Sequence, residues 1–341
     1  MKAAMLVKLG SPLVVDEIQM PERLEYGQVL VKVKYSGVCG SQIGEMDGVK
    51  GEDRHLPHLL GHEGSGIVEK CGPGVSRVRP DDHVVLHWRK GDGIESPTPK
   101  YMRNGKAINA GWVTTFNEYA IVSENRLTPI PKKVDLKIAT LFGCAVTTAY
   151  GVVHNDSGLK PAQSVAIFGV GGIGTATVAM ARLLSANPII AIDVNPLKLK
   201  KAQELGATHL INSGKDDVAG KLLDIAPGGV DAAIETTGIR SVRESAYELT
   251  HREGITTLVG VPKHGEKMSI DSFQLHFGKR ITGSHGGNVN PSAIIPKLIE
   301  LDMAKGLGLG KMVSKSYKLK EINDAISDMR AGKVLRPIIE M

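Results

Sequence analysis

This chain of 341 residues holds only three cysteines, and two of them stand where a thiolate could do chemistry. Cys39 lies in the glycine-rich break YSGVCGSQIGEMDG, and Cys144 lies in LFGCAVTTAYG. Between them, LLGHEGSGIV places His62 beside Glu63. Zinc used catalytically takes three protein ligands and keeps a fourth position open. Cys39, His62 and Cys144 would supply two thiolates and an imidazole. Their wide separation in sequence leaves a plain alternative open, in which the three are unrelated and Cys39 is a thiol filling an apolar gap. Cys71, in IVEKCGPG, reads as a structural thiol at a strand end.

A second constellation concerns anions. FGVGGIG gives Gly169-x-Gly171-x-x-Gly174, with Gly172 and Ile173 between the last two glycines. The pattern alone is weak, but an apolar strand leads in and a helical pattern leads out. Asp193 then follows, 19 residues past Gly174, at the end of the next strand. Such glycines permit a tight turn and a close approach to a pyrophosphate, which the N–H groups of the helix end would face. Asp193 would bond the adenosine ribose hydroxyls and repel a 2′-phosphate, favouring NAD over NADP. A glycine turn without a ligand is the competing reading, and strand, helix and acid together argue against it.

The elements that must carry these residues change character along the chain. In QVLVKVKY, Val29, Val31, Val33 and Tyr35 alternate with Gln28, Lys32 and Lys34, the period of a half-buried strand. Gly-Pro-Gly at 72–74 and Pro80-Asp81-Asp82 punctuate further short strands. From about residue 147, strands such as SVAIFGV, PIIAID, THLIN, VDAAIET and GITTLVGV alternate with helical patterns. That rhythm implies right-handed parallel βαβ units in a doubly wound sheet. After about residue 287 come a helix in PSAIIPKLIELDMA, another near Glu321–Arg330, and a last strand, LRPIIEM.

Composition bounds the rest. The length predicts two domains. The net charge of +6 is dispersed among apolar residues, as at Lys198, Lys200 and Lys201, so no basic stripe points to nucleic acid. An odd count of three cysteines suits a reducing compartment, and the early Lys8 and Asp16 break any apolar leader. These features predict a cytoplasmic protein with no membrane or nucleic-acid partner.

GVCGS, GHEGSGIVEKCGPGV, FGCAVTTAYG, and FGVGGIG with Asp193 occur in an order and spacing that resemble the medium-chain zinc alcohol dehydrogenases. The similarity extends through IPKLIELDMAKG and INDAISDMRAGKVLRPIIEM, and so spans nearly the whole chain. It implies an α/β plus β fold. Residues 1–146, completed by 287–341, would form a GroES-like catalytic domain, and 147–286 a Rossmann NAD-binding domain with a doubly wound parallel sheet. By the same resemblance Cys39, His62 and Cys144 match the catalytic zinc ligands, and Glu63 an acid that supports the zinc shell. Ser41 matches the hydroxyl that takes the alcohol proton. Ile173 matches the apolar residue behind the nicotinamide, Lys198 a ribose contact and Arg336 a pyrophosphate contact. A homodimer or homotetramer is implied too.

The chain departs from that pattern at several positions. The region VVLHWRKGDGIESPTPKYMRNGKAINAGWVTT has none of the four cysteines that hold a structural zinc in many members, so one catalytic zinc per chain is expected. Gly44 stands where many carry a relay histidine, and Gln42 where an aspartate orients the zinc histidine. Trp88 matches a pocket-lining aromatic, and Ala110 stands where a bulkier residue is common, which suggests room. Glu45, Glu52, Asp53, Arg54 and His55 precede the zinc histidine, and Arg89 follows Trp88. Facing a cleft, they would favour a polyol, sugar or amino alcohol; as a solvated rim they would decide nothing. His55, His58, His276 and His285 read as ordinary loop residues. A zinc- and NAD(H)-dependent alcohol dehydrogenase is therefore expected. A metal-free quinone or enone reductase on the same fold and a non-catalytic NAD-binding sensor are the alternatives.

Overall fold

Val165–Phe168 and Ile189–Asp193 are buried at every position, so their apolar runs are continuous rather than alternating. Strands covered on both faces read this way, and they belong in the middle of a parallel sheet. In the computed structural model, which describes residues 1–341, they do. The sheet runs His209–Asn212, Ile189–Asp193, Val165–Phe168, Val230–Glu235, Thr250–Leu258, Arg280–Gly283, every pair parallel. Numbered along the chain this is the order 3-2-1-4-5-6 of a Rossmann sheet. The edge strand Arg280–Gly283 has only four residues, none of them fully buried, which is why its sequence gives little signal.

Two compact units divide the chain. One comprises Met1–Cys144, Asn290–Leu301 and Val313–Met341; the other comprises Ala145–Val289 and Asp302–Met312. The Rossmann sheet forms the second unit. Its core gathers Ala166, Phe168, Ile190, Ile192, Ile211 and Leu222.

The first unit is built around Gln28–Gly37, where buried valines at 29, 31 and 33 alternate with half-buried Leu30, Lys32 and Lys34, while Gln28 is buried and Tyr35 half-buried against the expected pattern. This strand pairs antiparallel with Glu63–Cys71, Tyr119–Ser123 and Arg336–Glu340 in a seven-stranded sheet. Arg336–Glu340, from the far end of the chain, sets Ile338 opposite Gly37. Val313–Lys318 lies parallel beside it, a strand that the sequence pattern did not reveal. The β-rich first unit and the Rossmann second unit together give the α/β plus β class.

The region lacking structural cysteines is held by hydrogen bonds and charge. Glu124 accepts from the backbone N–H groups of Ser76, Arg77 and Ile94 at 2.7–2.9 Å. Arg126 donates to Glu95 at 3.0 Å and stacks over the Trp112 ring.

No single helix is long and apolar enough to cross a membrane, although Leu136–Gly143 and Ala145–Asp156 pass on length and composition as a pair bent by 47°.

Candidate active site

Cys39 and Cys144 reach the same point because a glycine shortly before each, Gly37 and Gly143, lets the chain close on Glu63. A Cβ on Gly37 would collide with the Glu63 carboxylate, and one on Gly143 with Leu86 O and the Glu63 side chain. Glu63 itself is fully buried and opens the strand Glu63–Cys71. His62 precedes it, and its approach is set by Gly61, at φ +94°, whose Cα packs on Thr115 and Phe116. The result is that the ligand atoms of Cys39, His62 and Cys144 all lie within 4.8 Å of one another. The sulfur and nitrogen ligands of a tetrahedral zinc lie about 3.5–3.8 Å apart, inside that limit.

The donor set suits such a cation. Cys39 is held well below the ordinary thiol value because the Cys144 thiol donates to its sulfur, with Arg336 and His62 adding positive charge, and together these outweigh burial. Cys144, as the donor in that pair and buried besides, is pushed up. Burial would lower His62, but the Cys39 sulfur raises it on balance. His62 Nε2 is buried with no hydrogen-bond partner in the protein, an unmet group that a cation would satisfy.

Arg336 lies beneath this cluster with 1 % of its side chain exposed. Its Nη1 sits 3.1 Å from Glu63 Oε1 and donates to Val38 O at 3.2 Å. Burial opposes its charge, yet Glu63 and both cysteines raise its pKa further still. The residue matched by resemblance to a pyrophosphate contact is thus an interior ion-pair partner of Glu63.

Gln42 does not bond His62. Its Oε1 accepts the Cys39 backbone N–H at 2.9 Å, closing the first turn of the helix Gly40–Met46. Ser41 is half-buried on that same turn, two residues from Cys39. Of the two pocket candidates, Ala110 packs against the small core of Ala3, Met5, Leu59 and Tyr101. Trp88 is half-buried, with the Arg89 guanidinium 5.6 Å from its ring centre.

The second unit has its own site. A cavity of about 440 Å³ is lined by Gly169, Gly171, Asp193, Lys198, Thr236 and Thr237, among others. It opens where the strands Val165–Phe168 and Val230–Glu235 end, the point at which strand order reverses and ligands of such sheets bind. Gly169 adopts φ +84°, and a Cβ on Gly174 would strike its carbonyl, so the loop and helix pack tightly. Gly171, by contrast, faces open space. The helix Gly172–Leu183 begins there with no side-chain cap and no acid in its first turn, leaving N–H groups for an anion. Ile173 is half-buried in that first turn. Asp193 accepts from Val170 N and Asn195 N at 2.9 Å each, which fixes its carboxylate against the glycine loop.

Residues 25–132 match the alcohol dehydrogenase GroES-like domain, and residues 172–305 match the zinc-binding dehydrogenase domain. The chain is 34% identical to an S-(hydroxymethyl)glutathione dehydrogenase of Synechocystis, with 99% of each chain covered. The chain belongs to the medium-chain zinc-dependent alcohol dehydrogenases. Among solved structures it resembles benzyl alcohol dehydrogenase from Acinetobacter calcoaceticus at a TM-score of 0.91 and 29% identity, covering 100% of this chain and 99% of that one. It also resembles a zinc-binding dehydrogenase of Sinorhizobium meliloti bound to NADP, at a TM-score of 0.82 and 27% identity over 100% and 99% of the two chains. As a member of this family the protein is an alcohol oxidoreductase, and zinc with a nicotinamide dinucleotide fits both its lineage and its two sites. The reductase and sensor alternatives give way to that assignment.

The burial of two residues went unread in the sequence. His58, taken as an ordinary loop histidine, is 6% exposed, and its Nε2 lies 2.8 Å from Asp53 Oδ2. A histidine ending an acidic loop is the only trace of this in the sequence. The other surprise is the burial of Arg336, which no local pattern announces.

Proposed function

We propose that this alcohol dehydrogenase is NAD-linked and takes a small polar alcohol, with Cys39, His62 and Cys144 as its zinc ligands. The observation that carries the cofactor reading is Asp193. Its carboxylate lines the cavity at the end of the second sheet strand, where it would accept ribose hydroxyls and repel a 2′-phosphate. Lys198 lines the same cavity and is offered as the ribose contact. Gly169, Gly171, Gly172 and Gly174 would cradle the pyrophosphate, and Ile173 would back the nicotinamide.

When bound, zinc would supply a Lewis acid to the alcohol or carbonyl oxygen, and the dinucleotide would supply the hydride acceptor or donor. The chain's part is positioning and proton traffic. Ser41 Oγ takes the alcohol proton and releases it toward water, since Gly44 leaves no imidazole to carry it onward. Glu63 and Arg336 fix the two cysteine segments from below. Trp88 and Ala110 are assigned to the substrate side by resemblance.

A polar substrate is supported by the hydroxymethyl thioether named for the Synechocystis relative, whereas Glu52, Arg54 and His55 are exposed to solvent and decide nothing. A reducing cytoplasm would keep Cys39 and Cys144 as thiols able to ligate metal. A homodimer or homotetramer is proposed as well. It is supported by the short edge strand Arg280–Gly283 and by Phe273 and Phe277, which are 63% and 58% exposed beside it in sequence.

The deciding experiment compares kcat/KM for NAD and NADP over a panel of polyols, amino alcohols, S-(hydroxymethyl)glutathione and benzyl alcohol. Preference for NAD and for the polar members is expected. Preference for NADP or for benzyl alcohol would overturn the corresponding half of the proposal.

A further inference from the structure

The peptide that joins Gly169 to Val170 is gripped at both ends. Its carbonyl, Gly169 O, accepts a hydrogen bond from Thr236 Oγ1 at 2.7 Å. Its N–H, that of Val170, donates to Asp193 Oδ2 at 2.9 Å. Thr236 follows the strand Val230–Glu235, and Asp193 ends the strand Ile189–Asp193. Those two strands flank Val165–Phe168, from which the glycine loop emerges. One peptide of the loop is therefore held by side chains from the strands on either side of it.

A carbonyl oxygen only accepts, so Thr236 Oγ1 must donate, and it has one proton to give. Gly169 O is the nearer acceptor, since Phe168 O lies 3.3 Å away. Thr236 is itself fixed by its backbone N–H, which donates to Phe168 O at 2.9 Å. Just beyond it, the buried Glu235 carboxylate accepts from the N–H groups of Thr237 and Gly238. Gly169 sits at φ +84°, where its own lack of a side chain leaves the peptide to be oriented by its partners.

We infer that Thr236 is a positioning residue for the dinucleotide. Its hydroxyl locks the Gly169 peptide and so aims the N–H groups at the start of the helix Gly172–Leu183 into the cavity lined by Gly169, Gly171, Asp193 and Thr236. The inference rests on the reading above, in which the glycine loop cradles the pyrophosphate, and adds the residue outside the glycine pattern that sets the cradle's shape. Donors already fixed toward an anion lose little freedom when it binds. A ligand without phosphate gains nothing from that arrangement.

The test is displacement of NADH from the full chain, followed by NADH fluorescence, with ADP-ribose, which carries the pyrophosphate, and adenosine, which does not. Thr236→Val removes the hydroxyl at nearly constant volume, and Thr236→Ser keeps it. In Thr236→Val the dissociation constant of ADP-ribose is expected to rise about tenfold, the scale of one hydrogen bond. Adenosine should bind as it does to the wild type, and Thr236→Ser should match the wild type for both ligands. Thr236→Ala also lacks the hydroxyl and carries the same expectation, which keeps the test decisive if the valine variant does not fold. Equal weakening of ADP-ribose and adenosine would make Thr236 a support of the whole unit and overturn the inference. An unchanged constant for ADP-ribose would overturn it as well. If the wild type itself binds adenosine as tightly as ADP-ribose, the pyrophosphate reading of the glycine loop fails first and takes this inference with it.

Discussion

Arg336 Nη1 lies 3.1 Å from Glu63 Oε1, with side-chain exposures of 1% and 0%. The two residues come from strands 273 positions apart in the chain (336 − 63), and they meet only because Arg336–Glu340 pairs with Gln28–Gly37. Removing one partner strands a charge in the interior. Glu63→Gln is therefore expected to cost about 3–5 kcal/mol of stability. A double replacement of Glu63 and Arg336 by methionine should recover part of that loss. Urea unfolding of the three proteins checks it, and equal midpoints for wild type and Glu63→Gln would refute the pair's importance.

His87 gives the first unit a pH dependence. Burial pushes its pKa down to about 4 from the usual 6.5, against the hydrogen bonds to Arg89 O and Leu127 that favour its charged form. Above pH 6.5 it is neutral whether folded or unfolded. Between 6.5 and 4 only the unfolded chain takes up the proton, so stability falls as the pH drops through that window. The loss would total about 3 kcal/mol and grow no further below pH 4. His87→Gln should flatten the dependence between pH 6.5 and 4, as read from unfolding midpoints in a single buffer series. An unchanged slope would mean that other groups dominate.

Asp193→Ser tests the cofactor preference. Loss of the carboxylate removes both the ribose acceptor and the repulsion of a 2′-phosphate. The ratio of kcat/KM for NADP to that for NAD is expected to rise by about tenfold or more, equivalent to about 1.4 kcal/mol. The backbone N–H groups of Val170 and Asn195 would lose their acceptor as well, so a lower melting temperature should accompany the change.

Gly174→Ala would force a methyl group onto the Gly169 carbonyl. With backbone on the far side nothing flexible can yield, and a destabilisation of about 1–3 kcal/mol follows. Fluorescence titration with NADH should show weakened binding. Gly171→Ala, which meets no protein atom, should leave stability unchanged while still impeding the dinucleotide. Stability loss in Gly171→Ala and none in Gly174→Ala would reverse the roles assigned to them.

Cys39→Ser should abolish zinc uptake at the candidate active site and alcohol turnover together, while NADH binding in the second unit persists. Elemental analysis and NADH fluorescence on one preparation separate these effects. Full zinc retention would remove Cys39 from the ligand set.

The glycine loop, its helix and Asp193 were legible because they are local. A strand, a turn and a helix within about thirty residues make a dinucleotide site almost by themselves, and the periodicity of each is written in consecutive positions. Fully buried parallel strands announce themselves in the same way, as in Val165–Phe168 and Ile189–Asp193. The cysteines and His62 were legible as residue types and, through family resemblance, as a set. Their meeting point was not, since it depends on Gly37, Gly61 and Gly143 allowing three distant segments to touch. Charge placement was the least legible of all. Nothing in the local pattern marks Arg336 as interior or His58 as the partner of Asp53, because burial of a charge is decided by which segments fold over it. The sequence by itself determined the periodic elements, the turns and the chemical inventory; the tertiary structure alone decided which charges lost their water and which partner each then had to find.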